Sequence, residues 1–278
     1  MNQRAQNPIA VSSWSLHHLL GITYENGPGV TASEIAHETY GAAHISLLDL
    51  PRALATHGFF RVELCHFHLA SQRPEYLKEI RAAFGASKVV IQTLLIDDGD
   101  ITDSSTRERD MSWISGWIET AALLGAEHAR VIAGKSKPSD EALQMSVEGL
   151  KVLAQLGQRQ GVRVVTENWF NLLSSPSQVH YVLDNVGHSL GFLADTGNWS
   201  GPTKYQDLKE IFGRAELCHA KASFNAGHKI DGEDFGACLR SAHSAEYKGP
   251  LTLIFADEGD EWQGLDFERK FIQSLDLA

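Results

Sequence analysis

Three side chains in the second half of the chain have the chemistry of a divalent-cation site. Glu167 closes the apolar run Val162-Arg163-Val164-Val165-Thr166-Glu167, and Asp195 closes Leu190-Gly191-Phe192-Leu193-Ala194-Asp195. His219 lies in a third run, Glu216-Leu217-Cys218-His219-Ala220-Lys221. Two carboxylates and an imidazole are oxygen and nitrogen donors that suit Zn²⁺, Mn²⁺, Mg²⁺ or Co²⁺ with no thiolate needed. Each alone also reads as a helix cap or a satisfied surface group; their shared placement at the ends of successive apolar runs argues for one site. Carboxylates gathered away from water are costly unless a cation sits between them. The candidates for that cation are a metal or Lys221, which lies two residues beyond His219 and so on the same strand face.

A fourth group lies earlier, in Arg61-Val62-Glu63-Leu64-Cys65-His66-Phe67-His68. Glu63 is a lone carboxylate in an apolar strand, more plausible at the open end of a fold than inside it. His66 and His68 fall at or past the strand end and read as loop residues beside a site, with a structural role equally open. Trp14, Trp169 and Trp199 also fall at strand ends, where they would wall a small-molecule pocket or pack in the core. Asp97, Asp98, Asp100 and Asp103 superficially resemble a calcium loop but lack its sixth-position Gly and twelfth-position Glu, so they read as a solvated loop. Lys135 and Lys137 read as a solvated turn, with a substrate phosphate as the alternative.

The elements that must position these groups repeat along the chain. Apolar, β-rich runs occur at 9–14, 59–65, 88–95, 128–133, 161–167, 190–195, 216–220 and 251–255, each followed by a helical stretch. Asp49 and Pro51 mark a helix start, and Gly58, Gly85, Gly125 and Gly161 mark helix ends. The stretches 104–124 and 139–160 carry apolar residues on one face, such as Ala142, Leu143, Val147, Leu150, Leu153 and Leu156 in the second. Eight strand-helix alternations without a linker or composition break predict an α/β fold, a single (β/α)₈ TIM barrel over 1–278, with 1–8 as a flexible arm. An open doubly wound sheet is the alternative, weakened because no GxGxxG follows the first strand. On a barrel, catalytic groups gather at the C-terminal ends of the strands, where Glu63, Glu167, Asp195 and His219 fall.

Composition narrows the rest. The 278 residues include 24 Lys plus Arg against 35 Asp plus Glu, a net charge of −11, which argues against nucleic acid as a partner. A chain of this length buries roughly three quarters of its unfolded surface and needs no structural metal, so a metal would be there for chemistry. Cys65, Cys218 and Cys238 are too few and too scattered for a disulfide framework or a zinc ribbon. The polar start and the lack of a long apolar stretch predict a soluble, cytoplasmic protein without a membrane segment.

Taken in order, Gly58-Phe59-Phe60-Arg61-Val62-Glu63-Leu64, Thr166-Glu167-Asn168-Trp169, Ala194-Asp195-Thr196-Gly197-Asn198, Cys218-His219-Ala220-Lys221 and Tyr247-Lys248-Gly249-Pro250-Leu251-Thr252-Leu253 make the chain resemble the xylose isomerase-like TIM-barrel superfamily. That group of sugar phosphate isomerases and epimerases also contains type IV-like apurinic endonucleases. The resemblance implies a divalent metal held by Glu167, Asp195 and His219, with a second glutamate on the eighth strand. Here Ile254 stands at that fourth position and cannot coordinate, which implies a weakened or lost metal. Ala222, where many relatives carry an acid, and Trp169, where close relatives often carry histidine, are further departures.

The reaction implied is isomerisation or epimerisation of a small carbohydrate-like substrate. In the family, paired glutamates move a proton beside a metal-polarised carbonyl. Glu167 is then ligand and base, with Lys221, His66, Asp257 or Glu258 as candidates for the second acid or base. Glu63, His66, Asn198, Trp14 and Trp199 are the expected substrate contacts, with Lys221 as a further one. A lyase or dehydratase needs one base only and tolerates Ile254 better, and a non-catalytic binding barrel is the reading from another class. The endonuclease branch is disfavoured by the charge and by Ile91-Gln92-Thr93-Leu94, which offers no histidine. Homodimers or homotetramers are what the family implies for assembly.

Overall fold

A computed structural model describes residues 7–30, 34–225 and 228–275. Eight parallel strands close into a barrel: β1 (Ile9–Ser12), β2 (Arg61–Cys65), β3 (Val90–Leu95), β4 (His128–Arg130), β5 (Arg163–Glu167), β6 (Gly191–Asp195), β7 (Leu217–Ala220) and β8 (Leu251–Leu253). Each pairs with its neighbours in the sequence, and β8 returns to β1 with Ile9 opposite Leu251 and Val11 opposite Leu253. After each strand comes a helix: α1 (Leu50–Thr56), α2 (Pro74–Ala86), α3 (Arg107–Leu124), α4 (Asp140–Gln160), α5 (Pro176–Val186), α6 (Lys204–Phe212), α7 (Gly232–Ser244) and α8 (Glu261–Ser274). The architecture is the (β/α)₈ barrel expected from the alternation of runs.

Strands such as Arg163–Glu167 and Gly191–Asp195 are buried on both faces, as parallel strands covered by helices must be. The main core lies between barrel and helices, with residues such as Val164, Phe192, Leu153 and Ile211. A separate small cluster, Val165, Leu193 and Leu217, fills the barrel interior.

Helix ends follow local chemistry. The Ser139 side chain accepts from Ala142 N–H at 3.1 Å, and Asp231 and Asp260 cap α7 and α8 in the same way. Gly125 and Gly161 end α3 and α4 at φ 74° and 75°, which glycine adopts without a Cβ clash. Two expected punctuation marks act differently. The Asp49 carboxylate accepts from Ser46 and Arg52 and does not cap α1. Gly85 lies inside α2, because Val89 N–H closes on Phe84 O and the left-handed turn falls on Lys88 at φ 56°.

Of the arm expected at 1–8, residues 1–6 lie outside the described residues. Asn7 donates to Gly249 O at 2.7 Å and Pro8 O accepts from Leu251 N–H at 2.8 Å, so these two are tied to the start of β8. The long β1–α1 connection carries a short antiparallel ribbon, Thr23–Tyr24 with Ala36–His37, packed against the helical turn His66–His68. Cys65, Cys218 and Cys238 are buried free thiols, and among the described residues no helix is long and apolar enough to cross a membrane.

One irregularity matters for the site. The pairing of β2 with β3 runs Val62 to Ile91 and then Glu63 to Thr93, so Gln92 is an extra residue. Such a bulge re-aims side chains that would otherwise alternate between faces. Gln92 and Thr93, consecutive in sequence, consequently both reach the same carboxylate oxygen of Glu63, at 2.9 and 3.0 Å.

Candidate active site

Glu167 and Asp195 are the last residues of β5 and β6, and His219 sits opposite Asp195 on β7. Two residues earlier on each strand lie Val165, Leu193 and Leu217, the apolar interior cluster, so the period of two places the three polar groups on the same inward face one layer higher. All three are buried, and one donor atom of each lies within 4.8 Å of the others. His219 Nδ1 is 3.3 Å from Asp195 Oδ2 and 3.6 Å from Glu167 Oε1.

The remaining lone pairs are assigned by neighbours. Asp195 Oδ1 accepts the backbone N–H groups of Gly197 at 2.6 Å and Asn198 at 2.9 Å, leaving Oδ2 toward the histidine. The Asn198 amide donates to Glu167 Oε1 at 2.8 Å. Asn168 joins the two strand ends, donating to Asp195 O and accepting from Asp195 N–H. Asn198, expected to contact substrate, therefore holds two members of the triad in place.

Glu63 lies beneath this layer and is wholly buried. Its Oε2 accepts His219 Nε2–H at 2.7 Å, and its Oε1 accepts Gln92 and Thr93. Every oxygen is engaged, so the contact found for Glu63 is the histidine rather than an open mouth. Burial opposes charge on both groups. Even so, the His219 charge and hydrogen bond, helped by Gln92 and Thr93, hold the Glu63 carboxyl below its ordinary value. Burial lowers the His219 imidazole too, but Glu63, Glu167 and Asp195 together push it well above its ordinary value. Burial likewise opposes the Asp195 charge, and His219, Lys221 and Gly197 N–H override it and keep that carboxyl low.

Beside the metal or Lys221 expected among the carboxylates, the structure brings a further cation to Glu167. Arg130, at the end of β4, is buried with its Nε 3.1 Å from Glu167 Oε2 and an Nη on Asp97. Its guanidinium lies 4.8 Å from the Trp169 ring centre. Lys221 is only partly buried; its stem lies against Gly197, and it makes no ion pair among the described residues. Asp97 also corrects the reading of its loop as merely solvated. Burial raises its carboxyl, but Arg130 and His66 bring it down to about 2. Asp98 pairs with Lys135, and Asp100 accepts from Thr102 and Lys135 N–H, so the loop is closed by its own neighbours.

Arg130 was legible in principle, as a lone arginine in the run His128-Ala129-Arg130-Val131-Ile132-Ala133, by the argument that singled out Glu63. His66 accepts Asp97 N–H at 3.2 Å and is packed among Phe67, Trp113 and Trp117. With Phe67, Asp97, Tyr24 and Asn26 it lines a cleft of about 530 Å³ beside the ribbon. His68 is buried, its Nδ1 2.9 Å from Ser13 Oγ, and burial brings it down to about 3, so it is neutral.

Trp14 is half-buried in an aromatic group with His17, Tyr40 and Phe67. Trp199 instead donates its indole N–H to Leu173 O and belongs to the core. At the end of β8, Ile254 is buried. Asp257 bonds His228 and Glu258 is exposed, so neither brings a carboxylate to the place Ile254 leaves apolar.

The donor set fits a divalent cation. Glu167, Asp195 and His219 converge, and the far nitrogen of the histidine donates to a carboxylate, the outer contact that orients metal-bound histidines. Three protein ligands leave positions open for substrate or water. Among the described residues this is the one cluster of three such groups.

Residues 51–275 match the family described as xylose isomerase-like TIM barrel. No functionally curated protein matches the chain in sequence. Similar solved structures include L-ribulose 3-epimerase, at 15% identity and TM-score 0.70, covering 97% of this chain and 94% of that one. A 3-keto-D-glucoside 4-epimerase from E. coli has 18% identity and TM-score 0.65, covering 81% of this chain and 94% of that one. A xylose isomerase-like TIM-barrel protein from Mycobacterium smegmatis, in complex with magnesium, has 14% identity and TM-score 0.68, with coverage of 97% and 96%.

Proposed function

Because the chain belongs to the xylose isomerase-like TIM-barrel family, we propose that it is a divalent-metal-dependent isomerase or epimerase of a small sugar or a sugar-like polyol or keto acid. The observation that carries this reading is the buried convergence of Glu167, Asp195 and His219 over an oriented histidine. Glu167 Oε1, Asp195 Oδ2 and His219 Nδ1 would hold the ion, which when bound would polarise a substrate carbonyl and the adjacent hydroxyl.

Glu167 takes the acidified carbon-bound proton, and a positioned carboxylate base of this kind contributes about 10²–10⁴-fold in rate. Lys221, whose stem lies against Gly197 and which makes no ion pair among the described residues, is the group proposed to return a proton. Trp14 and its aromatic neighbours would face the apolar side of the substrate.

The test is deuterium exchange. Ketopentoses and ketohexoses incubated with protein and Mn²⁺ in deuterated water gain deuterium beside the carbonyl, read by NMR, and Glu167→Gln loses that exchange by about 10²-fold or more. Unchanged exchange in the variant removes Glu167 as base. Failure of the protein to take up Mn²⁺, Zn²⁺, Mg²⁺ or Co²⁺ removes the metal reading.

A second reading is favoured by Ile254, whose burial at the end of β8 leaves the triad without a carboxylate opposite Glu167. A dehydratase needs one base and one acid for the leaving hydroxyl, the roles proposed for Glu167 and Lys221. A product lighter than the substrate by one water distinguishes it from an epimerase.

A further inference from the structure

Arg130 is used by nothing in that reaction, yet it is a buried cation set against Glu167. Its guanidinium is held from four directions: Asp97 on one Nη, Ile96 O at 3.4 Å from the other, Glu167 Oε2 at 3.1 Å from Nε, and the Trp169 ring 4.8 Å away. Arginine keeps its charge when buried, so this is a permanent cation that cannot withdraw. Glu167 Oε2 has no hydrogen-bond partner in good geometry among the described residues, and the guanidinium is the charge that faces it. The two oxygens of Glu167 are thus divided, Oε1 toward Asn198 and His219, Oε2 toward Arg130.

We infer that Arg130 is a built-in counter-cation for Glu167: it answers that carboxylate without a metal and competes, through it, with a divalent ion held by the triad. The inference rests on the metal reading above. Like charges repel across a buried mouth far more than in water, so the guanidinium lowers the affinity of the triad for an ion. Asp97 moderates this by neutralising part of the guanidinium charge on its far side. The metal of this chain is then weakly held and exchangeable, the direction in which the loss of a fourth ligand at Ile254 also acts.

The prediction has opposite signs for two substitutions, read by Mn²⁺ titration calorimetry on proteins shown native by circular dichroism. Arg130→Met binds Mn²⁺ at least tenfold more tightly than wild type and melts lower in EDTA, with Mn²⁺ restoring most of the loss. Asp97→Asn, which keeps the guanidinium but strips its partner, binds at least threefold more weakly. A merely structural Arg130 predicts weaker binding in both variants, because a disordered mouth loses its preformed triad. Equal or weaker binding by native Arg130→Met overturns the inference. If that variant does not fold, Arg130→Gln, which also removes the charge, is read in its place, and equal or weaker binding by it overturns the inference. Binding by Arg130→Met but not by wild type removes the metal reading for the natural chain and supports the inference; binding by neither overturns both.

Discussion

Replacing Glu63 by Gln tests whether the histidine is oriented from below. The substitution is isosteric, but Glu63 accepts three hydrogen bonds on two oxygens: His219 Nε2–H on Oε2, and Gln92 and Thr93 on Oε1. Glutamine has one acceptor oxygen and one donor NH₂. Either the amide nitrogen faces His219 Nε2–H, or it faces the two donors from the β3 bulge, and a buried donor is left facing a donor. Losing a hydrogen bond to a charged group costs about 1.5–3 kcal/mol, and a buried group left unsatisfied adds about 1–3 kcal/mol. The sum is comparable with the roughly 3–5 kcal/mol for breaking a buried ion pair from one side. For a domain of this size that lowers the melting temperature by on the order of 10 °C. The Mn²⁺ affinity should fall about 10–100-fold, the usual cost of removing an outer contact of a metal-bound histidine. Differential scanning calorimetry in EDTA and Mn²⁺ titration at pH 7 read the two effects. A variant that melts within a degree of wild type and binds Mn²⁺ equally well would refute the assignment of Glu63 as the anchor of His219.

Two pH dependences follow. His219 is raised well above its ordinary value, so near neutrality the metal-free ring is protonated, and a metal must displace that proton to reach Nδ1. Mn²⁺ affinity should therefore rise with pH, approaching about tenfold per unit between pH 6 and 7, with about one proton released per ion in buffers of different ionisation enthalpy; a flat profile sinks the linkage. Glu268 on α8 is buried without an ion-pair partner among the described residues, and burial raises its carboxyl well above the ordinary range, against the opposing effect of the Ala222 backbone. An acid raised in the folded state contributes stability fully below its unfolded value near 4.5 and loses it as pH rises toward the folded value. Glu268→Gln should therefore gain stability relative to wild type between pH 5 and pH 8 in urea unfolding, and a constant difference across that range refutes it.

Much of the site is written locally. Glu167, Asp195 and His219 each follow an apolar, β-rich run, and in a parallel barrel the period of two and the common strand direction bring their ends to one rim. The eight runs were legible for the same reason, since strands covered on both faces are apolar along their length. Ile254 is equally visible, because an apolar residue at a counted position after the last strand is a matter of residue type. Asp97 and Arg130 show where local reading stops. Asp97 sits in an acidic loop that looks solvated until the end of β4 places a guanidinium against it, 33 residues further along. Glu63 stands out as a lone carboxylate in an apolar strand, but its partner His219 lies 156 residues away.

What the sequence determined by itself is the order of strands and helices, the barrel they close and the donor triad on its rim, because periodicity, propensity and residue type are properties of short segments. What only the tertiary structure decided is which charge answers which. The bulge that turns Gln92 and Thr93 onto Glu63, the guanidinium 3.1 Å from Glu167, and the imidazole 2.7 Å from Glu63 are contacts between distant segments. Buried charges tolerate no approximate partner, so the chemistry of this mouth is settled by contacts that no short segment contains.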